Sequence, residues 1–215
     1  SLIKKSSLTL TYMSKNKIIL FNPRSAKWKH RIPMSILQVG ASIYGQYEFD
    51  FVDGNLEKDP WLVIEKKLAT GTYSYFGSTV MPGPQLKQAI PISKKIKEKF
   101  PNIKVIWGGY FATNQHKVVL ESGYVDVVVS GPGDTACPKV IEALEHKNPI
   151  DEIRKLIYIK DGKRFKTKKE ELVNQDTLPQ LPYTFLNEFY PIKGYLAKTF
   201  MGEKTVAYHS SLGCP

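Results

Sequence analysis

The chain has 215 residues and a mass of 24.4 kDa, with 42% hydrophobic and 24% charged residues. That composition packs a core and excludes the disordered and fibrous classes. At about 150 residues per domain it allows one domain of ordinary size plus an appendage, and no run approaches the roughly 20 apolar residues that cross a bilayer.

The N-terminus lacks an apolar stretch followed by a small-residue cleavage site, so the expected location is the cytoplasm. The net charge of +11, from 31 Lys+Arg against 20 Asp+Glu, raises nucleic acid as a partner. Its distribution argues against that: residues 1–50 carry +6, residues 51–150 carry +2 and residues 151–215 carry +3. The basic segment from Arg24 to Arg31 (RSAKWKHR) is left as a candidate site for a phosphate-bearing ligand. Two cysteines, Cys137 and Cys214, cannot build the multi-bridge framework of a secreted mini-protein.

Residues 1–12 (SLIKKSSLTLTY) fit no later pattern and precede Met13, so they read as a leader or added segment. From Lys17 one unit recurs: a β-branched or aromatic run, a polar or Gly/Pro-rich loop, then helical spacing. The predicted strands are Lys17–Asn22, Tyr47–Val52, Thr72–Gly77, Ile103–Gly108 and Val125–Ser130. The first predicted helix carries Ile36, Leu37, Ala41 and Tyr44, and the second carries Trp61, Ile64 and Leu68 with Pro60 in its first turn. The third spans about Gln85 to Phe100, with Leu86, Ile90, Ser93, Ile96 and Phe100 on one side and a kink expected at Pro91. A short fourth helix is expected around Val118 to Ser122, and a fifth from Pro138 to His146 capped by Asp134 or Thr135.

Strands alternating with helices predict an α/β fold, a doubly wound five-stranded parallel sheet in the flavodoxin-like order 2-1-3-4-5. After residue 150 the pattern changes. Ile157–Lys160, Asp161-Gly162 and Lys163–Thr167 read as a peripheral hairpin with a two-residue turn. Leu178–Pro182 and Tyr190-Pro191 read as an extended linker. Thr205–Pro215 reads as a strand and loop opening a further domain.

In such sheets ligands sit beyond the C-terminal strand ends. The loop after the third strand holds Ser78, Thr79, Val80, Met81 and Gln85. The loop after the fourth, Gly109 to Thr113, follows Gly108 and includes Tyr110, and the loop after the fifth is Gly131-Pro132-Gly133-Asp134. Glycine lets backbone approach a bulky ligand, and hydroxyls both donate and accept hydrogen bonds. Three such loops at one sheet edge point to a ligand cleft. Cys137 is expected to be a buried small hydrophobe.

The series FNPRS, FVDGN, FGSTVMPGPQ, IKEKFPNIKVIWGGYFAT, VDVVVSGPGD, a Leu-Pro linker and YHSSLGCP resembles the N-terminal half of cobalamin-binding radical SAM enzymes, from Lys17 to Pro215. The resemblance implies a cobalamin-binding Rossmann-like domain over residues 13–150, a hairpin and Pro-rich linker over 151–204, and the truncated start of a radical SAM domain at 205–215. It implies that Ser78, Thr79, Val80, Met81, Gln85, Gly108, Gly109, Tyr110, Gly131, Pro132, Gly133 and Asp134 bind the cofactor. Cys214 matches the first cysteine of the C-x3-C-x2-C motif that holds a 4Fe-4S cluster. The implied full-length enzyme also uses S-adenosylmethionine, a barrel in the same chain and an electron donor such as flavodoxin or ferredoxin.

Departures from the family pattern sharpen the expectation. The GEGE-like turn reads GPGD, one carboxylate short, and the D-x-H-x-x-G motif of related cobalamin proteins is absent. His30 has no Asp partner in the required position, so the cobalt is expected base-off with Val80 or Met81 at its lower face. The implied activity is methyl transfer through a 5'-deoxyadenosyl radical and methylcobalamin. The alternatives are an oxidative cyclase or rearrangement enzyme, or a non-catalytic flavodoxin-like nucleotide- or partner-binding module.

Overall fold

The computed structural model describes residues 16–25, 31–169 and 173–206. The N-terminal segment, His30 and the SSLGCP segment with Cys214 lie outside the described residues.

Five strands form the parallel part of the sheet: β1 (Lys17–Asn22), β2 (Phe49–Asp53), β3 (Tyr73–Thr79), β4 (Lys104–Gly108) and β5 (Val127–Val129). They lie in the order β2-β1-β3-β4-β5, each pair parallel. This is the expected doubly wound arrangement, and β1 pairs with both β2 and β3 because the order reverses there. Alternation of side chains along a strand gives each face its own core. Ile19 and Phe21 of β1 pack on one face with helices α2 (Pro60–Leu68), α3 (Leu86–Lys99), α4 (Gly109–Asn114) and α5 (His116–Glu121). Ile18 and Leu20 pack on the other with α1 (Met34–Ile43) and α6 (Ala136–Glu145).

A local signal fixes the start of α2. Asp59 caps α2 by accepting from the Leu62 N–H at 3.3 Å, with Pro60 in the first turn. Before α6 the cap position is Thr135, whose side chain makes no capping hydrogen bond, while Asp134 Oδ1 accepts from the Thr135 N–H. The buried stripe of α3 is Ala89, Ile92, Ser93 and Ile96. Ile90, expected inside, is exposed because that stripe faces Trp107, whose indole N–H donates to Ser93 Oγ at 2.9 Å. The helix continues as one element through Pro91.

Three expectations are corrected. The segment from Gly109 to Thr113, read as a loop, is the helix α4, with α5 starting at His116 rather than near Val118. The hairpin is not peripheral: β6 (Leu156–Lys160) pairs antiparallel with β5, and β7 (Lys163–Lys166) pairs with β6, extending the sheet to seven strands. Leu156 and Ile157 are fully buried there, so β6 is apolar on both faces at its start. The two-residue turn itself stands as predicted, with Asp161 at φ +50° and Gly162 at φ +72°.

The third correction concerns the linker, which folds back onto the sheet. Helix α7 (Tyr183–Phe189) buries Leu186, and a 3₁₀ turn at Ile192–Tyr195 buries Tyr195. Phe185 and Phe189 stack edge-on against Phe49 and Phe51 of β2 with centroids 5.0 and 6.0 Å apart. A short hairpin of β8 (Ala197–Thr199) and β9 (Gly202–Thr205) follows. Among the described residues no helix is long and apolar enough to cross a membrane.

Candidate functional site

The C-terminal ends of β1, β3, β4 and β5 bring the three predicted loops to one edge of the sheet. The loop after β3 is zipped to the junction of β4 and α4: the Val80 N–H donates to the Gly108 carbonyl at 2.9 Å, and the Phe111 N–H donates to the Val80 carbonyl at 3.0 Å. The loop after β5 is tied on both sides. Gly131 N–H donates to Thr113 Oγ1 at 3.0 Å, and Ser130 N–H donates to the Lys155 carbonyl at 2.7 Å.

Within this edge the predicted residues divide into two groups. Met81, Tyr110, Gly131 and Pro132 are exposed, and with Pro82, which was not among the predicted residues, they form an apolar lip, with Met81 at 49% and Tyr110 at 62% exposure. A Cβ at Gly83 or Gly131 would meet nothing within 4 Å, and one at Gly108 only the Val129 carbonyl at 3.9 Å, so these glycines border open space. The other group is internal. Val80 is fully buried in the core below the edge, and Ser78 and Asp134 are nearly so.

Gln85 and Gly109 serve the protein itself. Gln85 Oε1 accepts from the Met81 N–H at 2.7 Å, and its Nε2 donates to the Pro23 carbonyl at 3.0 Å, clamping the loop after β3 to the loop after β1. Gly109 has φ +88°, and a Cβ there would meet Val80 N and O at 2.8 and 2.9 Å. The glycine is therefore required by its positive φ and by the close approach of the loop after β3 to the start of α4. Thr79 and Gly133 are half-buried at the same edge, Gly133 against Val39 of α1.

A buried polar network beside the loop after β1 was missed by the sequence reading. Asp53, with no exposed surface, accepts from Asn22 Nδ2 at 2.9 Å, the Asn55 N–H at 2.9 Å, Asn55 Nδ2 at 3.0 Å and Tyr195 Oη at 2.9 Å. Burial raises its pKa above the ordinary carboxylate value, while the Asn55, Asn22 and Tyr195 hydrogen bonds oppose that shift. Tyr190 Oη accepts from the Asp53 N–H and donates to Glu57 Oε1. The only signal was the Asp-Gly-Asn run closing the second strand.

The basic segment is partly resolved into structural work. Arg24 Nε and Nη2 donate to the Gly54 and Glu57 carbonyls at 2.9 and 2.8 Å, so its guanidinium locks the loops after β1 and β2 together. Lys27, Lys29 and His30 lie outside the described residues. Cys137 is buried and free, its thiol pushed up to about 12 by burial, as expected of an inert core cysteine. Among the described residues no cluster of His, Cys, Asp or Glu could hold a metal ion.

No known protein-family profile matches the chain. The chain is 24% identical over 121 residues to the anaerobic magnesium-protoporphyrin IX monomethyl ester cyclase of Synechocystis sp., covering 56% of this chain and 23% of that protein. Among solved structures, the cobalamin-dependent S-adenosylmethionine radical enzyme OxsB with aqua-cobalamin and S-adenosylmethionine bound superposes with TM-score 0.72 at 16% identity, over 86% of this chain and 26% of that one. The radical S-adenosylmethionine methyltransferase TsrM of Kitasatospora setae, with cobalamin and a [4Fe-4S] cluster bound, gives TM-score 0.65 at 16% identity, over 78% of this chain and 31% of that one. The chain thus has the fold of one part of these enzymes and spans about a quarter to a third of their length.

Proposed function

We propose that this chain is the cobalamin-binding portion of a radical SAM enzyme, with the corrin lying over the C-terminal ends of β1, β3, β4 and β5. The carrying observation is the exposed apolar lip of Met81, Pro82, Tyr110 and Pro132 beside the open glycines Gly83, Gly108 and Gly131, on a fold shared with two enzymes solved with cobalamin bound. A flat, largely apolar macrocycle fits such an edge, because a glycine leaves room for it and the apolar rim loses water on contact.

The residues take distinct parts in this reading. Met81 would stand against the corrin, since Val80 is turned into the core, and without a D-x-H-x-x-G motif no histidine of that pattern would ligate the cobalt. Gly108, Gly131 and Pro132 form the floor and side of the cleft, with Tyr110 at its rim. Gln85 and Gly109 hold the loop after β3 in place, and Asp134 orders the turn before α6. Held there in its methylated form, cobalamin would supply a transferable methyl group, and methyl transfer is the favoured reaction, as the likeness to a methyltransferase supports. The cyclase relative favours a second reading, radical ring formation at the same cofactor site. In either case Cys214 is the first thiolate of a 4Fe-4S cluster that also binds S-adenosylmethionine, fed by a flavodoxin- or ferredoxin-type donor.

The test is direct. Mixed with hydroxocobalamin and gel-filtered, the wild-type chain carries the cobalamin spectrum in its folded peak. Gly108→Val keeps the fold, because Gly108 has ordinary extended dihedrals and space for a Cβ, yet elutes without cobalamin. Wild-type protein that never co-elutes with the cofactor refutes the proposal.

A further inference from the structure

Met81 at the exposed lip and Tyr195 in the C-terminal segment are joined by a run of hydrogen bonds through side chains that water barely reaches. The Met81 N–H donates to Gln85 Oε1 at 2.7 Å, and Gln85 Nε2 donates to the Pro23 carbonyl at 3.0 Å and lies 3.4 Å from Asn22 Oδ1. Asn22 Nδ2 donates to Asp53 Oδ1 at 2.9 Å, and Tyr195 Oη donates to the other oxygen of that carboxylate at 2.9 Å. Asn22, Asp53, Gln85 and Tyr195 are all buried, whereas Met81 is half exposed.

The run has a fixed direction. Asp53 Oδ1 also accepts the backbone and side-chain N–H groups of Asn55, so it meets Asn22 as an acceptor. Asn22 therefore turns its amide nitrogen to the carboxylate and its oxygen toward Gln85. Gln85 in turn presents nitrogen to Asn22 and Pro23 and keeps its oxygen for the Met81 N–H. Reversing either amide would set donor against donor in a buried site, which low local dielectric makes costly.

Asp53 also grips the loop after β1 from its far side. The two N–H bonds from Asn55 leave Asn55 Oδ1 to accept from the Ser25 N–H at 2.9 Å. The Pro23 carbonyl that anchors Gln85 thus stands between Asn22, tied to Asp53 directly, and Ser25, tied to it through Asn55. Tyr195 completes the partners of the carboxylate from the 3₁₀ turn at Ile192–Tyr195, outside the βα units that form the edge.

We propose that Tyr195 is a positioning residue: its hydroxyl on Asp53 sets the order of the loop after β3, so that docking of the C-terminal segment and occupation of the lip are coupled. Such a coupling is reciprocal, each event favouring the other by the same factor. Its effect on cobalamin rests on the corrin reading, whereas the coupling between Tyr195 and Met81 does not.

Amide exchange is followed by NMR on the full chain without cofactor. Tyr195→Phe is expected to speed exchange at Met81 and Ser25 about fivefold or more. Gly131, whose N–H is held by Thr113 at the same edge but outside the run, should be unchanged. Gln85→Leu, which cuts the last link, should speed Met81 more than Ser25. Val119→Ala, a buried truncation in α5 against β5, lowers stability without this pattern. Hydroxocobalamin is then titrated, and Tyr195→Phe is expected to bind it about fivefold or more weakly, with Val119→Ala binding like the wild type. The proposal is overturned if Met81 exchange in Tyr195→Phe rises no more than that of Gly131, or if Tyr195→Phe binds cobalamin as tightly as the wild type. A wild-type chain that binds no cobalamin refutes the corrin reading alone, and the exchange rates then decide the coupling.

Discussion

Tyr195 joins the C-terminal segment to the sheet through one hydroxyl, donating to a carboxylate that has no access to water. Removing that donor leaves Asp53 Oδ2 short of a partner, and an unsatisfied buried acceptor costs about 1–3 kcal/mol. Tyr195→Phe is therefore expected to lower the urea midpoint by that much stability without changing the far-ultraviolet spectrum; an unchanged midpoint would remove the network from the account of stability. His116 gives a second residue-level expectation. Burial, then Arg164 and Lys166, hold its pKa below the ordinary value, and its Nδ1 is buried without a hydrogen-bond partner. The unfolded chain thus binds more protons than the folded one as pH falls through and below about 6.5, and stability drops over that window. His116→Leu should flatten this acid loss, seen as a smaller difference between urea midpoints at about pH 8 and about pH 5.5. An equal difference in both proteins would place the acid sensitivity elsewhere.

Helix α7 shows at the element scale how an apparent linker becomes part of a domain. Its flanking prolines forbid helix at Leu178–Pro182 and Tyr190-Pro191, yet between them Phe185, Leu186 and Phe189 place apolar groups at helical spacing. Leu186 is fully buried against the face that α1 and β2 share. Truncating such a side chain costs about 2–5 kcal/mol, so Leu186→Ala should destabilise the whole sheet domain in a single transition. A separate early transition, with the sheet signal untouched, would mean that α7 is only loosely attached. The Gly109 backbone illustrates the same scale from the other side, because its positive φ already disfavours a side chain and the hydrogen bonds that draw the loop after β3 onto α4 leave no room for a Cβ.

For the molecule as a whole, protection against hydrogen exchange should follow position in the sheet. Strand β1 has neighbours on both sides and buried residues throughout all but its first position, whereas β7 is an edge strand with every residue exposed. Amides of β1 are expected to exchange only through global opening, and those of β7 through local fraying. Comparable rates in the two strands would contradict the topology. Two cores on opposite faces of one sheet keep the loops after β3, β4 and β5 fixed, and it is this rigidity that lets short glycine loops present a shaped edge.

Apart from α4, the sequence by itself determined the order and type of the elements from Lys17 to Glu145, because period-2 and period-3.6 patterns report burial within a single element. The β-branched runs placed the parallel strands, Asp161-Gly162 placed the hairpin turn, and the Gly/hydroxyl loops were visible as loops rich in small residues. What only the tertiary structure decided was which groups those loops keep for themselves. Nothing local distinguishes Gly109, pressed against Val80, from Gly131, open to solvent, or Gln85, used as a clamp, from a ligand-binding amide. Asp53 gained its role only when Tyr195, 142 residues away, was brought to it. A side chain's partner across the fold is set by packing, a property of the assembled sheet and not of the residues on either side of it.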